Sequence, residues 1–158
     1  MNLIKTIKNE DFNLSPKTNS NSIKQSTTIL LIDENSMVLL FKRNSLKSFY
    51  LPSMEYNEKL NENIFKKTDI ILNNIKTLGY IEEHKNNGLE KVEVLMSSVK
   101  KIHKFIDDDT EMIWCNPEEA YMLIKNYTNP INDFEDLYTS LYRNKKDLEI
   151  IKYYLNNK

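Results

Sequence analysis

Two apolar, β-favouring stretches, residues 26–32 and 37–42, stand on either side of Asp33-Glu34-Asn35-Ser36. Turn formers between two such runs predict a β-hairpin, because Asp, Asn and Ser hydrogen-bond their own backbone and tolerate the dihedrals that reverse a chain. A hairpin this early commits the fold to a sheet, and the remaining sequence is read for what extends or covers it. A loop at 44–48 leads to Phe49-Tyr50-Leu51-Pro52. Residues 58–78 then repeat with helical period: Leu60, Ile64, Phe65, Ile71, Leu72, Ile75 and Leu78 share one face, with Ile70 off it. Asn57 is placed to cap that helix and Gly79 to end it. Strands are expected at 79–83 and 91–97 around a turn at 84–88. A further pair is expected at 101–106 and 111–115, around Asp107-Asp108-Asp109-Thr110. Asn116-Pro117-Glu118-Glu119 is a helix start, with a capping side chain and then Pro at the first helical position. That helix should reach about Asn126 and be broken by Thr128-Asn129-Pro130. Another should open at Asn132-Asp133-Phe134-Glu135, with Phe134, Leu137, Tyr138, Leu141 and Tyr142 on one side. Leu148, Ile151, Tyr154 and Leu155 continue that pattern in the same helix or after a bend near Asn144. The order predicts an α/β fold, a mixed sheet covered by helices.

Bulk properties narrow the function. Of 158 residues, 40% are hydrophobic and 28% charged, the balance of a globular domain able to bury a core. A net charge of −1 sets up no field to attract nucleic acid or an anionic membrane. The apolar runs are far too short to span a bilayer, and the first residues lack the apolar core of a secretory signal. The single cysteine, Cys115, cannot form an internal disulfide, which fits a cytoplasmic protein. Residues 1–25 are polar and rich in Asn, Ser, Lys and Thr, and are expected to be a flexible arm with a short strand at Leu3–Ile7. A domain at 26–127 and a helical extension at 128–158 packed on it complete the organisation.

The strand Val38-Leu39-Leu40-Phe41-Lys42-Arg43, the step Tyr50-Leu51-Pro52 and the late segment Trp114-Cys115-Asn116-Pro117-Glu118-Glu119-Ala120 together resemble the Nudix hydrolase superfamily. The resemblance covers roughly residues 27–126. It implies a Nudix-type α/β/α sandwich, here with additional C-terminal helices, and hydrolysis of nucleoside diphosphates linked to another moiety with Mg²⁺ or Mn²⁺. The family's defining box, a glycine followed by a glutamate-rich helix, is degraded. Counted from Pro52, Met54 stands at the glycine, Leu60 at the first glutamate, and Thr68-Asp69-Ile70-Ile71-Leu72-Asn73 at the segment that should carry the metal-binding glutamate pair. Only Asp69 is acidic there. Counted back from Gly79, the corresponding segment has no acid at all.

Cleaving a diphosphate requires stabilising charge on phosphoryl oxygens and activating water, which carboxylate-bound Mg²⁺ supplies. The candidates left for that work are Glu58, Glu62 and Asp69, which on a helix would lie within about 40° of one another. Glu55 could join them as ligand or base. The same residues also read as a solvated acidic face balanced by Lys59, Lys66 and Lys67. Arg43 stands where the family points a polar side chain at its ligand, and reads otherwise as a surface ion pair. Asp107, Asp108 and Asp109 are a turn or a weak cation site. His84 and His103 lack the spaced partners of a zinc site. With no glycine-rich phosphate loop and no nucleophile beside a base, two functions stand. One is a catalytically impaired or inactive domain binding a nucleotide-like small molecule or a protein partner, with a homodimer through the C-terminal helices as one form of partnership. The other is a divergent Mg²⁺-dependent hydrolase.

Overall fold

The computed structural model describes residues 1–18, 20–55 and 69–157, with the backbone alone for Glu55. Its eight strands are β1 (Leu3–Lys8), β2 (Ile23–Ile32), β3 (Val38–Arg43), β4 (Ser48–Tyr50), β5 (Ser53–Glu55), β6 (Asn73–Lys85), β7 (Gly88–Ser98) and β8 (Thr110–Cys115). Among the described residues, two helices, α1 (Pro117–Asn126) and α2 (Leu137–Asn156), and one 3₁₀ turn (Asn9–Phe12) accompany them. The sheet runs β1-β6-β7-β2-β3-β4, with β5 on β2 and β8 on β3. It is mixed: β1 with β6 and β2 with β7 are parallel, and the remaining pairs antiparallel. The fold is therefore mixed α/β.

The expected hairpin forms, but it splays. Asp33 Oδ1 accepts the backbone N–H groups of Asn35 and Met37, each at 2.8 Å, and so closes the turn. Beyond the turn β2 and β3 share one register pair, Ile32 with Val38. β4 then pairs with β3 and β5 with β2, so Leu51 and Pro52 carry the chain across the gap between the diverging strands. Leu51 is buried there, and the Pro52 carbonyl accepts Ile29 N–H at 3.0 Å.

Three expectations are corrected. Residues 58–68 of the expected helix lie outside the described residues, and its remainder is not helical: Asp69 has a positive φ of 55° and Asn73 already opens β6. Tertiary pairing explains the difference, since β6 spends its backbone on β7, and Ile75 and Thr77 are β-branched residues at home in a strand. Ile70, read as lying off the apolar face, is buried, and Ile71 is 83% exposed. Gly79 therefore ends no helix. The N-terminal arm holds the short strand expected at Leu3–Ile7 but is tied down further than a loose arm, because β1 pairs in parallel with β6 and both Ile7 and Asn9 are buried. Finally, residues 101–106 form no strand: they make one isolated β-bridge to β8, Phe105 with Glu111, and separate hydrogen bonds such as Met112 N–H to the Lys104 carbonyl at 2.9 Å.

The chain's only two glycines do matching work. Beside each, the next residue donates its N–H to the start of a parallel neighbour: Tyr80 to the Asn2 carbonyl and Leu89 to the Ser22 carbonyl, both at 2.9 Å. A Cβ on Gly79 would strike the Asn2 carbonyl oxygen and come within 2.9 Å of Ile4 Cγ1. A Cβ on Gly88, whose φ is +130°, would strike the Ser22 carbonyl oxygen.

Both helices cover one face of the sheet, where Leu30, Leu40, Val92, Val94, Ala120, Ile124, Ile150 and Ile151 form a core. α1 starts as the sequence predicts, with Asn116 Oδ1 accepting Glu119 N–H at 2.8 Å. α2 begins later than expected, capped by Asp136 at the Thr139 N–H (2.7 Å), and runs unbroken past Asn144. Phe134 consequently lies outside the helix and is 97% exposed, while Tyr138 and Tyr142 pack inward. On the opposite face Ile29, Leu31, Leu39, Met54, Ile70, Leu95, Val99 and Met112 form a second core. Among the described residues, no helix is long and apolar enough to cross a membrane.

Candidate functional site

Arg43 sits at the end of β3, as the sequence suggests, but its guanidinium is engaged within the chain. Nε donates to Asp109 Oδ2 at 2.9 Å, Nη1 donates to the Ile131 carbonyl at 2.7 Å, and Nη2 lies 3.9 Å from Asp133 Oδ1. Asp109 also accepts the Ser45 hydroxyl and backbone N–H, and the Ser45 hydroxyl above all, with Arg43 adding, holds its carboxyl below the ordinary range. Asp107 caps the same turn through the N–H groups of Asp109 (2.9 Å) and Thr110 (2.8 Å), which lower its pKa in the same way. Arg43 therefore ties the end of β3 both to this triple-acid turn and to the loop at 129–135.

Of the carboxylates read as a metal set, Asp69 is the one whose side chain lies among the described residues. Asp69 is exposed, outside any helix, and its Oδ2 receives Lys104 Nζ at 2.8 Å. Glu55 ends β5 opposite Ser26. Glu58 and Glu62 lie outside the described residues. His84 and His103 each face one glutamate, Glu82 at 3.4 Å and Glu111 at 3.3 Å. Cys115 is buried, and burial pushes its thiol up to about 12, the neutral state of a packed side chain.

A polar layer under α2 was not foreseen. Asp147 is fully buried, with Oδ2 accepting the Leu51 N–H at 3.1 Å, so α2 pins the corner between β4 and β5. Burial raises its pKa against the pull of Lys146 and Arg143. Glu83 is buried 3.4 Å from Lys85, and burial raises its pKa too, with Lys85 and Lys146 opposing. Tyr142 donates to Asn9 Oδ1 at 2.7 Å and completes the tie to β1. These groups were invisible to periodicity because a helix that buries Arg, Asn, Lys and Asp on its inner face carries no simple apolar stripe.

A concave feature of the described residues lies elsewhere. At the carboxyl ends of the parallel pair β2 and β7, three segments part company: the turn after Ile32, the chain after Ser98, and the approach to Asn73. They leave a cavity of about 700 Å³, within the range of small-molecule sites. Ile71, Leu72 and Val99 give it apolar walls, and Asp33, Glu34, Asn73, Ser98 and Lys100 give it polar ones. The carboxyl ends of adjacent parallel strands are where open α/β sheets hold ligands, because the connections there diverge. Glu34 accepts the Lys101 N–H at 3.2 Å, and hydrogen bonds from its own N–H and from Lys101 hold its carboxyl below the usual range. Asp33 is 6% exposed; its Oδ1 is satisfied by the turn, and its Oδ2 has no hydrogen-bond partner. Sequence reading finds Asp33 only as a turn former. A signal for the cavity would require the β2–β7 pairing, which joins residues far apart in the chain.

No family model matches this chain, and no curated protein matches it. Among solved structures, it is similar to the solution structure of the E. coli ORF135 protein, with 12% identity over 65% of this chain and 79% of that one and a TM-score of 0.48.

Proposed function

We propose that this chain is a Nudix-like cytoplasmic domain, catalytically impaired or inactive, that binds a nucleotide-like ligand in the crevice at the carboxyl ends of β2 and β7. One observation carries the reading: a cavity of ligand size has apolar walls at Ile71, Leu72 and Val99 and polar ones that include Lys100. The impairment rests on the sequence, where the box positions that should hold a metal carry Thr, Asn and aliphatic side chains. Asp69, the acid that remains there, is already paired with Lys104. The competing reading is a Mg²⁺- or Mn²⁺-dependent hydrolase working through Glu58 and Glu62 with Glu55. A protein partner or a second copy would instead use the exposed Phe134 and Leu137.

The test is binding and turnover measured together. The chain is titrated with nucleoside mono-, di- and triphosphates and nucleotide sugars, with and without a chelator, and pyrophosphate-bond hydrolysis is followed with Mg²⁺ or Mn²⁺. Binding that a chelator leaves unchanged, without metal-dependent turnover, is the expected result. Turnover that Glu58→Gln and Glu62→Gln each abolish would establish the hydrolase instead.

A further inference from the structure

Phe134 is 97% exposed, and Leu137, three residues on, is 66% exposed. A single apolar side chain in water calls for no explanation. What sets this pair apart is the framework that presents it. Arg143 donates to the Asn129 carbonyl and Arg43 to the Ile131 carbonyl, each at 2.7 Å. Asn129 donates to the Leu46 carbonyl at 2.7 Å, and Glu135 is buried against Arg143 at 3.2 Å. Asn132 then accepts the Phe134 N–H at 2.8 Å. The loop is thus tied to β3, to the turn that follows β3 and to α2, and it turns an aromatic side chain outward on a fixed backbone. Ordering of that backbone precedes any partner, the condition under which an aromatic anchor contributes most to binding.

Charge decides what the partner is. Asp133 and Asp136 flank Phe134 in the chain, and the Asp133 side chain is 84% exposed. Asp133 lies 3.9 Å from the guanidinium that Asp109 also meets, at 2.9 Å, so the triple-acid turn adjoins the loop. Residues 107–109 and 131–137 hold six carboxylates and no lysine or arginine. Arg43 and Arg143, the arginines bound to them, offset two. A surface of that sign repels nucleic acid and an anionic membrane. It also repels itself, because a two-fold dimer sets the same patch against its own copy, acids opposite acids. We propose that Phe134 and Leu137 anchor a protein partner other than a second copy, one whose contact surface has an apolar pocket rimmed by lysine or arginine. The apolar pair supplies buried area, and the acids supply encounter rate and register. This surface stands at the Arg43 end of β3, whereas the crevice adjoins the Asp33 turn at the other end, and the inference does not rest on nucleotide binding.

The probe is a synthetic amphipathic helical peptide with leucine on one face and arginine on the other, beside a counterpart that carries glutamate for each arginine. The full chain is titrated with each while backbone amide shifts are followed by NMR, and the chain alone is sedimented. The arginine peptide is expected to shift amides within 107–109 and 131–137, and the glutamate peptide to leave them in place. Phe134→Ser should weaken the arginine peptide about tenfold, the worth of a modest aromatic anchor. Asp108→Asn combined with Asp133→Asn should weaken it as well and reduce its sensitivity to salt. All three side chains are exposed, so both variants should melt with the wild type, and a loss of affinity then reports the surface itself. Equal binding of the two peptides overturns the proposal, and so does an arginine peptide that fails to bind or whose affinity Phe134→Ser leaves unchanged. Shifts confined to other residues overturn it too, as does a Phe134→Ser protein that melts early, since the side chain would then be packed in the fold. A dimer that Phe134→Ser dissociates would assign the surface to a second copy and overturn the choice of partner.

Discussion

Replacing Gly79 with alanine tests the strand geometry most directly. Its new Cβ would occupy space held by the Asn2 carbonyl oxygen and Ile4 Cγ1, so β1 must withdraw from β6. Overpacking of this kind costs about 1–3 kcal/mol, and loss of the hydrogen bond from Tyr80 N–H to the Asn2 carbonyl adds about 0.5–1.5 kcal/mol. Relief is limited because the clashing atoms include backbone, and β1 is tied at its other end by buried Ile7 and by Asn9, which accepts the Tyr142 hydroxyl. The sum is roughly 2–4 kcal/mol, or roughly 5–15 °C in Tm for a chain of this size. Thermal unfolding by circular dichroism gives the total, and hydrogen exchange at the Tyr80 amide locates it. A Gly79→Ala protein melting within about 2 °C of wild type, with that amide still protected, would refute the account of why glycine stands there.

Asn116→Ala should lower stability by about 1 kcal/mol, the usual worth of an N-cap, measured by urea denaturation. The effect should be confined to faster exchange in the first turn of α1. pH dependence follows from carboxyls shifted in opposite directions. Glu34, Asp107, Asp109 and Asp136, held low by hydrogen bonds, contribute stability that is lost as pH falls below the ordinary carboxylate range. Asp147 and Glu83, held high by burial, bind protons more tightly folded than unfolded, so their contribution falls as pH rises from about 4 through their folded values. The urea midpoint should therefore decline from mildly acid toward neutral pH, and Asp147→Asn should flatten that decline; an equally steep slope in the variant would contradict the assignment.

Local chemistry in the sequence located the features that local chemistry builds. The Asp33 turn, the Asn116 cap and the β6–β7 hairpin all lie where turn formers and capping residues stand. What misled was a period shared by two structures. Ile71, Leu72, Ile75 and Leu78 satisfy a helical repeat, yet Asn73 to Leu78 belong to a strand. Their exposure shows why: Ile71 and Ile75 face solvent, while Ile70 is buried in the second core. A helix reading puts Ile71 and Ile75 on the buried side and Ile70 off it. The start of α2 shifted for a related reason. Asn132 closes a turn by accepting the Phe134 N–H at 2.8 Å, so a sequence that resembles a cap makes a bend, and Asp136 provides the helix cap.

The candidate site was harder to read because it depends on parallel pairing. β2 and β7 run side by side from Ile23 with Leu89 to Ile32 with Ser98, and nothing local to either strand announces the other. The glycines show how tightly that pairing constrains recognition. Gly79 and Gly88 are the chain's only glycines, and each is committed to the close approach of a parallel neighbour. Neither is free for a loop whose bare backbone cradles phosphate, the device by which many nucleotide sites hold an anion. A ligand in the crevice would then be held by side chains, with a cation at Lys100 and apolar surface at Ile71, Leu72 and Val99.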